Sequence, residues 1–262
     1  MAKKFIELPP IKPNISPYKR YLRELKSIIK SMNRDIRKSI IEEYSKTTNA
    51  EQLNNFLSMR ISQWEMFIDR KSEVISTQFV TSINDNVTTE LKKSLNKAPK
   101  ILYNNLVVKL NERNSAALNA NKAAIIENVN LIKSIPQKYK TELEFFVNEA
   151  AGQGRNVQWL KEKIMSLGHS TESRAQFIAM DQLNKITSTI NNARQKGLGI
   201  KQNKWHHSSR PKQPRKSHVE ADNRIYDLDK GCNIDGEYIY PGQKPRCYCF
   251  SSPILPFEDS LE

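Results

Sequence analysis

No stretch of 18 consecutive apolar residues occurs in the chain, so no segment is long and apolar enough to cross a bilayer as a helix. Cysteine is scarce: Cys232, Cys247 and Cys249 make three, an odd number, which suits reduced thiols or metal ligands better than a disulfide framework. Glycine is thin at 8 residues, against 12 prolines in 262, which excludes a low-complexity or collagen-like chain. Also missing are a Gly-x-Ser-x-Gly elbow, a P-loop, a His-Glu-x-x-His motif and any glycine-rich phosphate cradle. The chemistry those motifs perform has no support here. The opening, MAKKFIELPPIKPN, is basic, but its apolar part is too short and too proline-broken for a signal peptide. A protein made in the cytoplasm of its host is expected.

Positive charge is what the chain has in excess. Lys and Arg number 42 against 28 Asp and Glu, a net charge of +14. Such a chain concentrates near polyanions, with an affinity that falls as salt rises. A hydrophobic content of 38% over this length is enough to bury a real core in one large domain or two smaller ones.

Along the chain, Pro9, Pro10 and Pro13 make residues 1–16 an extended arm, either docked on a partner or frayed. From Ser16, Leu22, Leu25, Ile29, Met32, Ile36 and Ile40 recur at three- and four-residue steps, the stripe of an amphipathic helix. Asn49 and Gln52 form a capping-box-like start to the next, striped by Leu53, Leu57, Ile61, Trp64, Ile68, Ile75 and Phe79 as far as Asn84-Asp85-Asn86. A third helical stretch, 87–97, stops short of Pro99, and 101–134 gives one or two more. Pro136 then opens a helix to 151, and Gly152-Gln153-Gly154 stops it. A short helix from Val157 closes at Gly168, and Ser170-Thr171 cap the last helix, 172–196. On that helix Arg174, Asp181, Gln182 and Lys185 line one polar stripe, read as a docking edge for the C-terminal head.

After Gly199 the period becomes two. Strands are predicted over 200–205, 224–228, 237–240 and 246–250, with turns at Asp235-Gly236 and Pro241-Gly242. The fold class is therefore α+β: a long helical N-terminal body followed by a small, irregular, antiparallel β-containing C-terminal domain. The expected divisions are the arm 1–16, a helical hairpin or bundle 17–120, a C-terminal domain 121–257 with helices to 196 and a β head from 198, and an acidic tail 258–262.

The head holds the candidate chemistry. Cys247 and Cys249, on one face of a strand, need a kink before both can reach one zinc at about 2.3 Å. His218, with Cys232 or with His206 or His207, would complete the ligands of a structural zinc. The same residues also read as buried thiols of a small β core or as a catalytic thiol. Between Arg194 and His218 lie eight basic residues and no acidic one: Arg194, Lys196, Lys201, Lys204, Arg210, Lys212, Arg215 and Lys216. They are the candidate contacts to DNA or another partner.

The order RAQFIAMDQLNK, Trp205, RKSHVEADNRIYDL, Pro-Gly and Cys-Tyr-Cys resembles the phage Mu F-like head morphogenesis, or minor capsid, family. Arg174, Ala175, Ile178 and Ala179 match its Arg-Ala-x-x-Ile-Ala helix, and Trp205 matches its strand. Arg215, Ser217 and His218 match its basic element; Pro241, Gly242, Cys247 and Cys249 match its end. Tyr248 stands where the family has Arg, and Asn223 where it has Gly. The resemblance spans roughly residues 120–256. It implies a virion protein at the capsid interior or portal vertex, in several copies, meeting portal protein, major capsid or scaffolding protein and phage DNA. A metal-stapled nucleic-acid-binding module, and an enzyme with the family's distant ADP-ribosyltransferase-like fold, are the competing expectations.

Overall fold

A computed structural model describes residues 5–112, 114–210 and 213–256. Its order is β1 (Phe5–Glu7), α1 (Ile15–Tyr44), α2 (Ala50–Leu95), α3 (Lys100–Asn111), α4 (Ser115–Gln153), α5 (Val157–Gly197), β2 (Gln202–His206), α6 (Lys216–Glu220), β3 (Ile225–Asp227), β4 (Cys232–Ile234), β5 (Glu237–Ile239) and β6 (Phe250–Pro256). The α+β class and the helical N-terminal body are as expected. Contacts divide the chain into two compact units interleaved in sequence. Unit 2 joins 18–79 to 125–179; unit 1 takes the described parts of 1–17, 80–124 and 180–262. No single boundary near residue 120 separates them, because the divisions fall inside α1, α2, α4 and α5.

Three helices run through punctuation that the sequence suggested would stop them. α2 continues past Asn84-Asp85-Asn86 because Val80, Ile83, Val87, Leu91 and Leu95 keep the buried stripe going. Burial of that stripe outweighs the weak helix propensity of Asn and Asp. α4 carries Pro136 in its interior, with Ile132 and Tyr139 buried on either side. α5 passes straight through Gly168, which is therefore no C-cap. A Cβ there would lie 2.3 Å from Asn33 Nδ2, so glycine is set by close approach of an α1 side chain. Ser170 Oγ and Thr171 Oγ1 do not cap a helix start but bond back to the Leu167 carbonyl at 2.9 and 2.8 Å.

Unit 2 is helical, its core built from the predicted stripes with small corrections. On α1 Tyr21, not Leu22, is the buried residue, stacked on Phe79 with centroids 4.1 Å apart. Its hydroxyl donates to Asn128 Oδ1 at 3.1 Å. Trp64 leaves the stripe half-exposed and donates to Asp35 Oδ2 at 2.8 Å, while Arg60 pairs with the same carboxylate. Asn33 Oδ1 accepts from the Tyr139 hydroxyl at 2.7 Å.

Unit 1 carries the sheet, in the antiparallel order β1-β6-β2-β3, and a separate β4-β5 hairpin. In the hairpin Ile234 faces Glu237, so Asp235 and Gly236, both at positive φ (54° and 81°), form a two-residue turn of the primed kind. Three predicted strands are recovered with shifted ends. The fourth, 246–250, is not a strand: pairing begins only at Phe250 and runs to Pro256. Cys232, outside the four predicted strands, opens β4.

The arm docks on its own sheet, which corrects the expectation of a free or partner-bound segment. Leu8 and Ile11 donate their amides to Pro253 and Ser251 carbonyls at 2.9 and 3.2 Å, and Ser94 Oγ donates to the Pro9 carbonyl at 2.6 Å. Leu8 and Ile11 sink into a core with Leu91, Leu95, Leu106, Leu110, Leu198, Ile200, Leu228 and Leu255. The acidic tail 258–262 lies outside the described residues. Leu8→Ala is expected to cost about 2–5 kcal/mol in urea unfolding, as for a fully buried leucine; a loss below about 1 kcal/mol would mean the arm is a loose appendage.

Candidate functional site

The site is assembled inside unit 1 by a turn that lifts the cysteine pair off the sheet. Cys247 N–H closes a turn on the Lys244 carbonyl at 3.0 Å, with Pro245 and Arg246 at its corners. Arg246 adopts φ 57°, a left-handed conformation that a bulky side chain seldom takes unaided. Its amide donates to Asp181 Oδ1 on α5 at 2.8 Å, which holds the strained corner in place. Of the predicted docking edge, Asp181 makes this contact, whereas Arg174 lies in unit 2. One turn earlier in sequence, Pro241-Gly242 reverses the chain, with Gln243 N–H on the Tyr240 carbonyl at 3.1 Å and Gly242 at φ 83°.

The other half of the site comes from β2 and α6. Trp205 is fully buried on β2, and α6 is a single turn that directs His218 inward against it, ring on ring edge-to-face at 5.3 Å. His218 Nδ1 then lies 3.4 Å from Cys247 Sγ and 3.7 Å from Cys249 Sγ. All three residues are buried, and their ligand atoms sit within 4.8 Å of one another. Zinc bonds of about 2.3 Å to sulfur and about 2.0–2.1 Å to nitrogen, at tetrahedral angles, separate N from S by about 3.5 Å. The two observed distances straddle that value. The kink that the Cys-x-Cys spacing demanded is supplied by residues 246–249 being off the sheet.

The surroundings favour a thiolate at Cys247 and a protonated thiol at Cys249. Cys247 is pushed down to about 4, first by the hydrogen bond from the Cys249 thiol and then, against burial, by His218 and by backbone amides. One of these is Gly242 N–H, 3.3 Å from the sulfur. Cys249 moves the opposite way, because its proton is held by Cys247 and because it is buried. The backbone of Ser208 also reaches the Cys249 sulfur. Trp205 Nε1 is turned toward the same sulfur but is buried without closing a hydrogen bond. A sulfur carrying full thiolate charge is the acceptor that would engage it.

Not every predicted ligand arrives. Cys232 is buried in the same apolar cluster as Trp205, Cys247 and Cys249, yet its pairing with Ile239 holds it in the hairpin and outside the three-residue group. Burial raises its thiol pKa. His206 stacks on Phe250 at 5.4 Å and bonds Ser252 Oγ at 2.7 Å, with Glu7 3.3 Å away. His207 uses its amide to bond Asp222 Oδ1 at 2.8 Å. Neither joins the cysteines.

Half of the basic set is already engaged within unit 1. Arg194 donates to Asn84 Oδ1 at 2.8 Å, and burial lowers its pKa. Lys196 pairs with Asp229 at 3.4 Å, Lys204 with Glu7 at 2.8 Å, and Arg215 donates to the Pro245 carbonyl at 2.9 Å. Lys201, Arg210 and Lys216 are exposed, and Lys212 lies outside the described residues. Of the residues carrying the resemblance, Trp205, Ser217, His218, Pro241, Gly242 and both cysteines gather here, Ser217 O closing the end of α6 on Ala221 N–H at 3.1 Å. Asn223, at the Gly position of the pattern, has φ 66°; asparagine is among the few side chains that tolerate that conformation. Arg174, Ala175 and Ile178 belong to unit 2, where they line a cavity of about 200 Å³ with Tyr139 and Ser134.

Sequence reasoning missed a buried polar ridge on α5. Asn184, Thr187, Asn191, Asn192 and Gln195 are all buried, as is Gln182 of the predicted docking edge. Their only signal is position: they share turns with Leu183, Ile186 and Ile190.

No family model matches the chain, and no solved structure matches it. It is similar to a protein of Haemophilus influenzae described as an uncharacterized protein, at 28% identity over 222 residues. The match covers 85% of this chain but 44% of that relative, so the chain spans less than half its length.

Gly242→Ala is expected to destabilise unit 1 by about 1–3 kcal/mol in chemical unfolding. It places an L side chain at φ 83° and a Cβ 3.1 Å from the Asn184 carbonyl. An unchanged midpoint would mean that the Gly242–Cys247 corner is not built as described.

Proposed function

We propose that this chain is a tailed-phage minor capsid, or head morphogenesis, protein with a structural role, whose unit 1 is stapled by zinc on His218, Cys247 and Cys249. The observation that carries the reading is convergence. Motif residues scattered from Trp205 to Cys249 meet at one buried point, with spacings that suit a tetrahedral ion. The chemistry zinc supplies there is cross-linking: it ties α6 to the 246–249 segment without redox cycling. Three protein ligands leave the fourth tetrahedral position to a water or to a partner's group. Burial of all three ligands suits an architectural centre better than a thiol that turns over substrate.

In this reading the protein sits in the capsid interior or at the portal vertex in several copies. Its neighbours are portal protein, major capsid or scaffolding protein, and packaged DNA met non-specifically through the net charge of +14. No helix among the described residues is long and apolar enough to cross a membrane.

The assembly reading predicts that the protein co-purifies with portal protein in procapsids of a phage or prophage that encodes it. Its absence from both procapsids and finished particles would defeat that reading. The zinc reading predicts close to one zinc per chain in protein purified without chelator, falling at least about tenfold in Cys247→Ser. Less than about 0.2 zinc per chain in the parent would remove the staple.

A further inference from the structure

We propose that the cleft between the N-terminal arm and the 207–210 loop of unit 1 is a phosphate site for nucleic acid, gripping one phosphodiester between Lys12 and Arg210. The cleft holds about 340 Å³ and is lined by Lys12, Asn184, Ser208, Ser209, Arg210 and Tyr248, among others; no carboxylate is among its described lining residues. Two cations stand over its aromatic walls. Lys12 Nζ lies 4.8 Å from the Phe250 ring centre and the Arg210 guanidinium 5.7 Å from that of Tyr248. These contacts hold each charge beside an aromatic face, leaving hydrogen-bond donors for an anion.

A second observation points the same way. Asn184, on α5, lines this cleft and is only 3% exposed, yet its Nδ2 has no hydrogen-bond partner. A smaller adjoining cavity shares Pro13, Asn184 and Phe250 with the cleft, and there Thr187 Oγ1 is also buried without a partner. A buried amide donor left unpaired is costly unless something occupies the space it lines. The chemistry missing is an acceptor, and the two flanking charges require it to be an anion. Paired charged donors, an amide and hydroxyls match a phosphate diester's non-bridging oxygens. Tyr248 and Phe250 offer ring faces to an adjacent base, as in single-strand grooves. None of the engaged basic residues Arg194, Lys196, Lys204 and Arg215 is among the described residues that line the cleft, so the site is a selected pair rather than the bulk charge.

This inference rests on the nucleic-acid partner proposed above and not on the head-assembly reading; a test with purified components keeps the two failures apart. The full-length protein is titrated into fluorescein-labelled oligothymidylate and read by anisotropy over a series of salt concentrations. Lys12→Glu/Arg210→Glu is expected to weaken binding at least about tenfold at low salt. It should also flatten the log–log salt slope by about 1.4, two single-strand contacts at about 0.7 each. The charge-matched control Lys71→Glu/Lys109→Glu, both exposed, is expected to weaken binding less than about threefold and to leave a steeper slope than the cleft variant. Asn184→Ala is expected to weaken binding about fivefold or more while its thermal midpoint stays level or rises, because an unpaired donor has been removed. Thymidine monophosphate should compete where thymidine does not. Equal weakening by the two double reversals, parent-like binding by Asn184→Ala, or equal competition by thymidine would each overturn the proposal.

Discussion

The site in unit 1 depends on one strained corner. Arg246, forced to φ 57° after Pro245, takes the chain out of the direction it would need to remain in the sheet. The cost of that conformation, about 1–3 kcal/mol for a non-glycine residue, is offset by a charged acceptor: Asp181 Oδ1 receives the Arg246 amide at 2.8 Å. Without the corner, residues 247–249 would extend β6 and place alternate side chains too far apart for one ion. With it, both sulfurs come within reach of His218 Nδ1. The glycine at 242 completes the frame from the other side, since its missing Cβ is what lets the Asn184 carbonyl approach and its amide reach Cys247.

Much of this architecture is legible in residue types and little of it in spacing. The apolar stripes on α1 and α2 are nearly as the three- and four-residue steps draw them, because burial of a continuous face decides whether a helix exists. The helix ends fall elsewhere for the same reason. Gly168, Pro136 and Asn84-Asp85-Asn86 are local votes against helix, and each is outweighed by packing that no local pattern encodes. At the site, chemistry alone singles out His218, Cys247 and Cys249, but their distances come from a turn whose left-handed corner is an arginine. Sequence rules look for glycine or asparagine at such corners, as at Gly236, Gly242 and Asn223, and they pass over Arg246. Composition groups Cys232 with the others, whereas its register against Ile239 in the β4–β5 hairpin sets it apart.

Charge illustrates the same gap between composition and arrangement. Eight basic residues without an acidic one between 194 and 218 suggest an open cationic loop. Four of them instead meet acceptors elsewhere in their own unit: Asn84, Asp229, Glu7 and the Pro245 carbonyl. Their partners come from α2, the arm and the region after β3, distant in sequence from the basic run. A window along the chain cannot see them. The buried amides of α5 are hidden by the converse error, since Asn and Gln count as solvated until a neighbouring element covers them.

The proposed zinc centre and the proposed phosphate cleft share a wall. Tyr248 lies between the two cysteines in sequence, and its ring carries the Arg210 guanidinium, while Phe250, which opens β6, carries Lys12. Whatever fixes Cys247 and Cys249 therefore fixes the backbone that presents both aromatic faces. Asn184 belongs to both neighbourhoods as well: its backbone carbonyl sits against Gly242, and the residue is among those lining the cleft. A metal on the sulfurs would tighten the same short segment that positions the cations, so that stapling and anion binding become properties of one rigid corner. That coupling gives the Cys-Tyr-Cys order a reason beyond ligation. The residue between the ligands is the one whose side chain must leave the buried centre and reach the surface.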